Sequence, residues 1–197
     1  HWNGVYQKRA PNEVSWFQSE ARTSLELIEA CRCSSSASVV DIGAGASTLV
    51  DGLLLRGYAD VTLVDIAESA LAVTRARLSV DRTVNYVVAD ITAWSPARTF
   101  DIWHDRAVFH FLTEPEDRAA YRRTLSSAMP AGSHVILGTF AADGPDRCSG
   151  LPVQRYSPEA LAAEFADVLS PVETRTERHR TPGGSVQAFV FVRFTRR

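Results

Sequence analysis

The sequence is poor in cysteine and methionine and contains no long apolar run. Its three cysteines are an odd number without framework spacing, which argues against a disulfide-stapled secreted domain and favours a reducing compartment. Cys31 and Cys33 resemble half of a metal site, but no second pair accompanies them, so we expect no bound metal. No apolar run approaches the roughly 18 residues that a membrane-spanning helix requires. We therefore expect a cytoplasmic protein that does not contact a membrane.

An excess of charge of either sign is also lacking. The 197 residues include 21 Lys and Arg against 23 Asp and Glu, and the net charge of −2 creates no field that attracts nucleic acid. The basic end RFTRR is too short to act as a binding arm. Apolar residues make up 45% of the chain, which is enough for one domain with a full core. We expect no nucleic-acid partner.

Strand-like and helix-like apolar periods alternate along most of the chain. Helices are predicted at about 18–31, 48–57, 68–79, 114–129 and 157–165. Strands are predicted at 39–42, 61–66, 84–91, 100–105 and 134–140, followed by a hairpin of 172–179 and 185–194 around the turn TPGG. This order predicts an α/β fold: a three-layer, doubly wound, mostly parallel seven-stranded sheet that ends in an antiparallel hairpin.

The first predicted strand runs into the glycine-rich stretch DIGAGAS, residues 41–47. In such sheets the ligand lies at the carboxyl ends of the strands. The third glycine of the dinucleotide fingerprint is missing, and so is the Lys-Ser/Thr pair of a P-loop. Asp41 would repel a pyrophosphate and attract a cation. S-adenosylmethionine (SAM), which carries an ammonium and a sulfonium but no phosphate, suits this loop, and a turn without any ligand is the alternative.

Acidic residues also end the next two predicted strands. Asp65 can accept hydrogen bonds from both hydroxyls of a ribose, a feature that dinucleotide enzymes share. Asp90 can accept from an adenine amino group, with the backbone N–H of Ile91 facing a ring nitrogen. The alternative for Asp90 is a helix cap or a solvated loop acid.

Four stretches in order, VVDIGAGAS, VTLVDI, YVVADI and FDIWHDRAVFHFL, resemble the class I SAM-dependent methyltransferases over about residues 37–140. The resemblance implies that Gly43 and Gly45 face the methionine part of SAM, Asp65 the ribose, and Asp90 with Ile91 the adenine. With the loop and strand-end neighbours included, the expected cofactor contacts are Trp2, Tyr6, Trp16, Asp41, Gly43, Gly45, Ser47, Asp65, Ile66, Asp90, Ile91 and Asp105. The expected product is S-adenosylhomocysteine (SAH).

The first 18 residues, HWNGVYQKRAPNEVSWFQ, resemble a subgroup of small bacterial and mitochondrial methyltransferases with a W-x-x-x-Y…SW pattern. Some eukaryotic members of that subgroup methylate lysines on proteins. We expect 1–36 to form a lid segment and the first helix, and 37–197 to form the methyltransferase domain, within one globular unit. Isolated aromatics in a polar stretch favour a cover over a partly wet ligand. The alternative is that these rings plug the edge of the sheet.

Candidate acceptor-side residues follow the fourth and fifth predicted strands. Asp105 is expected near the sulfonium, and His110 is expected to act as a base or to position the acceptor, with a core histidine as the alternative. His104 points the other way on its strand and is left out. The expected substrate contacts are Arg106, Phe140, Cys148 and Arg155. Cys148 is expected to line the pocket rather than to act as a nucleophile.

Methyl transfer from a sulfonium needs little acid–base machinery, because the donor is already activated. A thiol, with a pKa of about 8.5, is partly ionised at neutral pH, whereas a lysine ammonium, with a pKa of about 10.4, is hardly deprotonated. The sequence therefore predicts a SAM-dependent methyltransferase with a small-molecule acceptor, preferably a thiol or sulfide, working as a monomer or homodimer. Protein-lysine methylation and a non-catalytic SAM-binding sensor are the alternatives.

Overall fold

The computed structural model describes residues 1–8, 10–78 and 84–197. The helices are α1 (Trp2–Lys8), α2 (Arg22–Glu29), α3 (Leu49–Leu55), α4 (Glu68–Leu78), α5 (Pro115–Ala128) and α6 (Pro158–Glu164). The strands are β1 (Val39–Ile42), β2 (Val61–Asp65), β3 (Val84–Val88), β4 (Ile102–Arg106), β5 (His134–Phe140), β6 (Arg147–Cys148), β7 (Leu151–Pro152), β8 (Leu169–Arg180) and β9 (Val186–Arg196). None of the helices in these ranges is long and apolar enough to cross a membrane.

Seven of the strands form one sheet in the order β3-β2-β1-β4-β5-β9-β8. The first five in sequence are parallel, β9 runs antiparallel to β5, and β8 runs antiparallel to β9. The predicted α/β fold with a terminal hairpin is therefore confirmed. The strand order reverses beside β1, so a crevice opens where β1 and β4 diverge at their carboxyl ends.

The two faces of the sheet carry separate apolar clusters. On one face Leu25, Ile28 and Leu53 from α2 and α3 pack on Val39 and Val61, and all five side chains are essentially fully buried. The other face holds Trp103 beneath α5 and α6. Because α2 belongs to this shared core, the expected boundary at residue 36 does not separate two packing units.

Several predicted boundaries differ from the structure. α2 begins at Arg22 instead of about residue 18, since residues 10–18 form an irregular strap. β3 ends at Val88, so the expected adenine contacts lie in the loop after the strand. The predicted end of α4 at residue 79 lies outside the described residues. The helix α1, two short 3₁₀ helices and the small β6–β7 hairpin were not predicted, because each is too short for a periodic signal.

Helix α1 lies over the carboxyl edge of the sheet, next to the start of α4. The side-chain oxygen of Asn3 accepts hydrogen bonds from the backbone N–H and the hydroxyl of Ser69, at 3.3 and 2.9 Å. Val14 in the following strap is 2% exposed, and Nε2 of His179 donates a hydrogen bond to the carbonyl of Ser15 at 2.8 Å. The front segment thus consists of a cover, α1, and a strap that is anchored to the domain.

Gly138 allows β5 and β9 to pack an aromatic ring across the sheet. It pairs in register with Phe191, and an added Cβ would lie 2.5 Å from Cε1 of that ring. We expect Gly138→Ala to lower the free energy of unfolding by about 1–3 kcal/mol, the usual cost of overpacking a core. Urea denaturation measures this change. The control is Gly4→Ala in α1, where nothing lies within 4 Å of the added carbon, and a similar loss there would contradict the packing argument.

Candidate active site

A cavity of about 310 Å³ opens at the carboxyl ends of β1, β2 and β4. Its volume lies at the lower end of the range of ligand pockets. The described residues that line it are Trp2, Tyr6, Trp16, Ile42, Gly43, Val64, Asp65, Ile66, Ala89, Asp90, Ile91, Thr92, Arg106, Ala107, Val108, Phe111, Leu112, Asp117 and Cys148. The lining residues that the sequence did not predict are Ile42, Val64, Ala89, Thr92, Ala107, Val108, Phe111, Leu112 and Asp117, and most of them are apolar. Apolar residues that line a cavity carry the same signal as core residues, so nothing in the sequence separated them.

The glycine-rich loop forms one side of the cavity and depends on two positive φ angles, 65° at Gly43 and 51° at Gly45. A Cβ on Gly43 would lie 2.0 Å from Cγ2 of Val108, and one on Gly45 would lie 2.6 Å from the hydroxyl oxygen of Tyr6. The N–H of Gly43 donates to the carbonyl of Val64 at 2.7 Å. The loop is therefore pressed between three neighbours. Gly43 lines both cavities, whereas Gly45, an expected cofactor contact, is buried and lines neither.

Asp65 sits at the end of β2 with its carboxylate facing the cavity. It accepts hydrogen bonds from the N–H groups of Gly45 and Ala67, at 2.8 and 2.7 Å. Burial raises the pKa of Asp65 to about 6, although these hydrogen bonds act in the opposite direction. Each carboxylate oxygen retains a lone pair, so the group can still accept hydrogen bonds from a ligand.

The loop after β3 brings Asp90 and Ile91 to the far end of the cavity, together with the exposed side chain of Ile66. The carboxylate of Asp90 accepts from the N–H and the hydroxyl of Thr92, at 2.9 and 2.7 Å. Asp90 is exposed in this loop, so its position also agrees with the alternative of a solvated loop acid. The two hydrogen bonds hold the carboxylate at the rim without using all of its lone pairs.

Aromatic rings close the side of the cavity that faces α1. The ring of Trp2 meets Phe111 and Trp16 edge-on, with centroids 5.1 and 5.8 Å apart. The indole N–H of Trp16 donates to the hydroxyl of Tyr6 at 3.1 Å. Burial raises the pKa of Tyr6 to about 12, and the neighbouring Asp65 acts in the same direction. The phenol is therefore protonated at neutral pH and can donate a hydrogen bond.

A smaller cavity of about 50 Å³ adjoins the first and shares Tyr6, Trp16, Gly43 and Arg106 with it. Asp41 lines this smaller cavity together with Ser47 and with His104, the residue that the sequence analysis left out. The two strands place Asp41 and His104 in register, so their side chains leave the sheet on the same face. The register between β1 and β4 places His104 beside Asp41, and knowledge of that register would have identified His104 as a cavity residue.

Asp105 and His110 do not line either cavity, which contradicts their expected positions. Strand alternation turns Asp105 to the opposite face, where it is fully buried and accepts from the hydroxyl of Tyr121 at 2.7 Å and from the N–H groups of Val108 and Phe109. His110 accepts from the N–H of Phe140 at 3.3 Å, and burial lowers the pKa of His110 to about 3. His110 is thus the core histidine of the alternative interpretation.

The expected substrate contacts divide into two groups. Arg106 and Cys148 line the main cavity, and burial raises the pKa of the Cys148 thiol to about 11. Phe140 is fully buried against Phe189 and does not reach the cavity. The exposed Arg155 donates to a loop carbonyl at 3.2 Å and also lies outside the lining.

Arg106 lies between the two cavities and lines both of them. Its guanidinium donates to the carbonyl of Trp16 at 3.1 Å, lies 3.6 Å from a carboxylate oxygen of Glu177, and sits over the ring of Phe189. These contacts tie β4 to the strap and to the terminal hairpin. The position of the guanidinium is thereby set by tertiary contacts on three sides.

Residues 39–132 match a family described as a methyltransferase domain. Nodulation protein S of Rhizobium fredii is 27% identical over 122 residues, which make up 60% of this chain and 68% of that protein. The EEF1A lysine methyltransferase 2 of Danio rerio is 24% identical over 143 residues, which make up 66% of this chain and 61% of that protein.

Solved structures share the fold over almost the whole chain. One comes from work on the conversion of a disulfide bond into a thioacetal group during echinomycin biosynthesis, with a TM-score of 0.77, 20% identity, and coverage of 99% of this chain and 91% of that one. The N-methyltransferase NodS from Bradyrhizobium japonicum WM9, in complex with SAH, has a TM-score of 0.74 and 16% identity, and covers 98% and 97%. The matched family spans the glycine-rich loop and the acidic strand ends that form the cavity. Residues 39–132 are therefore similar to a methyltransferase domain, and the chain shares the class I, Rossmann-like fold of SAM-dependent methyltransferases.

Proposed function

We propose that this protein methylates a small-molecule nucleophile whose lone pair is already free, with a thiol or sulfide as the favoured acceptor. The observation that carries the proposal is that the described residues around the proposed acceptor space, Trp2, Trp16, Phe111 and Cys148, include no base suited to neutral pH. Tyr6 and Cys148, with pKa values raised to about 12 and about 11, are protonated at neutral pH. Asp105 and His110 are turned away from the cavity. The carboxylates that line the cavity are Asp65 and Asp90, which we assign to the cofactor, and the exposed Asp117. Deprotonation of an acceptor would therefore depend on a carboxylate outside the proposed acceptor space.

We infer that SAM would bind in one orientation. Asp90 and Ile91 would hold the adenine, Asp65 would accept from the ribose hydroxyls, and the methionine part would pass Gly43 toward Asp41. A carboxylate beside the small cavity suits an ammonium group and repels a phosphate. SAM supplies an activated methyl group, and the bonding electron pair stays on its sulfur as that group leaves.

The acceptor would then occupy the space bounded by Trp2, Trp16, Phe111 and Cys148. Such apolar walls exclude water and align the acceptor with the methyl group, which is most of what this reaction requires. A thiol is partly ionised at neutral pH, whereas a lysine side chain is almost wholly an ammonium ion without a lone pair. The chemistry of the lining therefore favours sulfur over a lysine amine as the acceptor atom.

Matched acceptors test this proposal. We expect SAH to form faster with benzenethiol and 2-mercaptoethanol than with phenol, benzylamine or a lysine-containing peptide at pH 7.5. The rate with 2-mercaptoethanol should rise with pH as its own thiol ionises, because no protein base is involved. SAH release at a fixed SAM concentration is the measurement. Faster turnover of the amine or of the peptide would contradict the sulfur preference.

Replacing Asp65 tests the orientation of the cofactor. Charge-assisted hydrogen bonds contribute about 1.5–3 kcal/mol each and are not fully additive, so Asp65→Ala should cost about 2–4 kcal/mol of SAH binding. Calorimetry measures the affinity. Asp60→Ala is the control, because Asp60 pairs with Arg98 at a distance from the cavity. Unchanged SAH affinity in Asp65→Ala would refute the placement of the ribose.

The raised pKa of Asp65 adds a dependence on pH. The ribose hydroxyls bind the ionised carboxylate better than the protonated acid, so the bound state lowers this pKa. Affinity for SAH should therefore be greatest above pH 6 and should fall as the pH drops through about 6. The same titration on Asp65→Ala should be flat across this range, and a parallel fall in both proteins would assign the effect to another group.

We infer that α1 acts as a lid over the acceptor. A chain that begins at Ala10 lacks Trp2 and Tyr6 but keeps the strap and the whole core. It should melt at nearly the same temperature as the parent without ligand, and SAM should stabilise it less. Its turnover should fall more than tenfold, which corresponds to about 1.4 kcal/mol of lost stabilisation. Thermal melting with and without SAM, and turnover, test both statements. Normal turnover of the truncated protein, or a truncated protein that is insoluble, would contradict the role of α1 as a lid.

A further inference from the structure

The small cavity contains a hydrogen-bonded group of three buried residues, Asp41, His104 and Ser24, of which the proposed function uses only Asp41. We propose that His104 is a positioning residue, which holds the Asp41 carboxylate toward the ammonium group of the cofactor through a neutral hydrogen bond supported by Ser24. This inference rests on the proposed function, because it assumes that the methionine part of SAM reaches the small cavity.

Two short hydrogen bonds join the side chains of Asp41, His104 and Ser24. Nδ1 of His104 lies 2.7 Å from Oδ1 of Asp41, and Nε2 lies 2.8 Å from the hydroxyl oxygen of Ser24. The side chains of His104 and Asp41 are only 3% and 4% exposed. β1, β4 and α2 each contribute one member, so the three side chains are fixed by the core that those elements share. Both imidazole nitrogens are engaged, which sets the plane of the ring.

A neutral imidazole ring can make both of these hydrogen bonds. If Nδ1 carries the proton, it donates to Asp41, and Nε2 accepts the hydroxyl proton of Ser24. The partner of Asp41 is then a dipole and not a cation. A neutral donor fixes Oδ1 while leaving the negative charge of the carboxylate for a positively charged ligand group. A lysine or arginine at position 104 would cancel that charge.

The surroundings of Asp41 agree with this role. Arg106 is the charged neighbour in the same cavity and also interacts electrostatically with Asp41, but its ion pair is with Glu177, at 3.6 Å, and its hydrogen bond goes to the carbonyl of Trp16. The cavity itself, of about 50 Å³, has room for little more than a small polar group. A carboxylate aimed into so small a space discriminates strongly between a cation and any other ligand group.

Two substitutions of similar shape separate positioning from packing. The side-chain amide nitrogen of asparagine can occupy the place of Nδ1, so His104→Asn keeps a donor to Asp41. The amide nitrogen of glutamine reaches the place of Nε2, so His104→Gln keeps only the contact with Ser24. We expect His104→Gln to raise Kd for SAH and KM for SAM about tenfold, in the range of one charge-assisted hydrogen bond, and His104→Asn to raise them less than about threefold.

The readouts distinguish this role from a structural one. At saturating SAM, kcat of both variants should stay within about threefold of the parent, because only cofactor binding changes. 5′-Methylthioadenosine lacks the amino-acid part of SAH, so its affinity should be the same in the parent and in both variants. Equal weakening by the two variants, or equal weakening toward methylthioadenosine, would show that His104 only supports the fold.

Two further variants keep the outcome interpretable. Asp41→Asn should weaken SAH but not methylthioadenosine, and an unchanged SAH affinity there would refute the proposed cofactor orientation itself. Weaker binding by Asp41→Asn with no loss in His104→Gln would refute only the role of His104. If His104→Gln does not fold, Ser24→Ala removes the support of the ring while keeping its contact with Asp41. It should also weaken SAH selectively, and unchanged SAH binding would overturn the proposal.

Discussion

The close approach of the Gly43–Gly45 loop to its neighbours is the constraint on which the site depends. Without side chains at these two positions, Val108 from the loop after β4 and Tyr6 from α1 both reach the backbone of the turn. The same turn donates the N–H of Gly45 to Asp65. Three segments that are distant in sequence thus meet at one point, and the cavity is the space that remains between them.

The alternation of β4 divides its side chains between two tasks. His104 and Arg106 face the cavities, whereas Asp105, between them, satisfies the N–H groups of the following turn and the hydroxyl of Tyr121. Burial raises the pKa of Asp105 to about 6. Its hydrogen bonds to the N–H groups of Val108 and Phe109 support the turn that carries Val108 against the glycine loop. Asp105, which was expected near the sulfonium, therefore supports the architecture of the site.

The front segment combines strong and weak attachment. The strap is held by Val14, by the Ser15–His179 hydrogen bond and by the Arg106–Trp16 contact, which are mostly buried. Helix α1 is held mainly by exposed hydrogen bonds and by aromatic edges around Trp2. A segment attached in this way can open locally at little cost while its anchor stays folded.

The sequence by itself determined the alternation of strands and helices, the glycine loop and the acidic strand ends, because periodicity, backbone freedom and charge are local properties. It therefore predicted Asp41, Asp65 and Asp90 with Ile91 as cofactor contacts, and these residues line the two cavities. It misplaced Asp105 and His110, because the direction of a side chain at a strand end depends on the face that the core takes. It overlooked His104, and it favoured a lid for the front segment with a plug of the sheet edge as the alternative. Strand register and the packing of distant segments decide such contacts, and only the tertiary structure contains them.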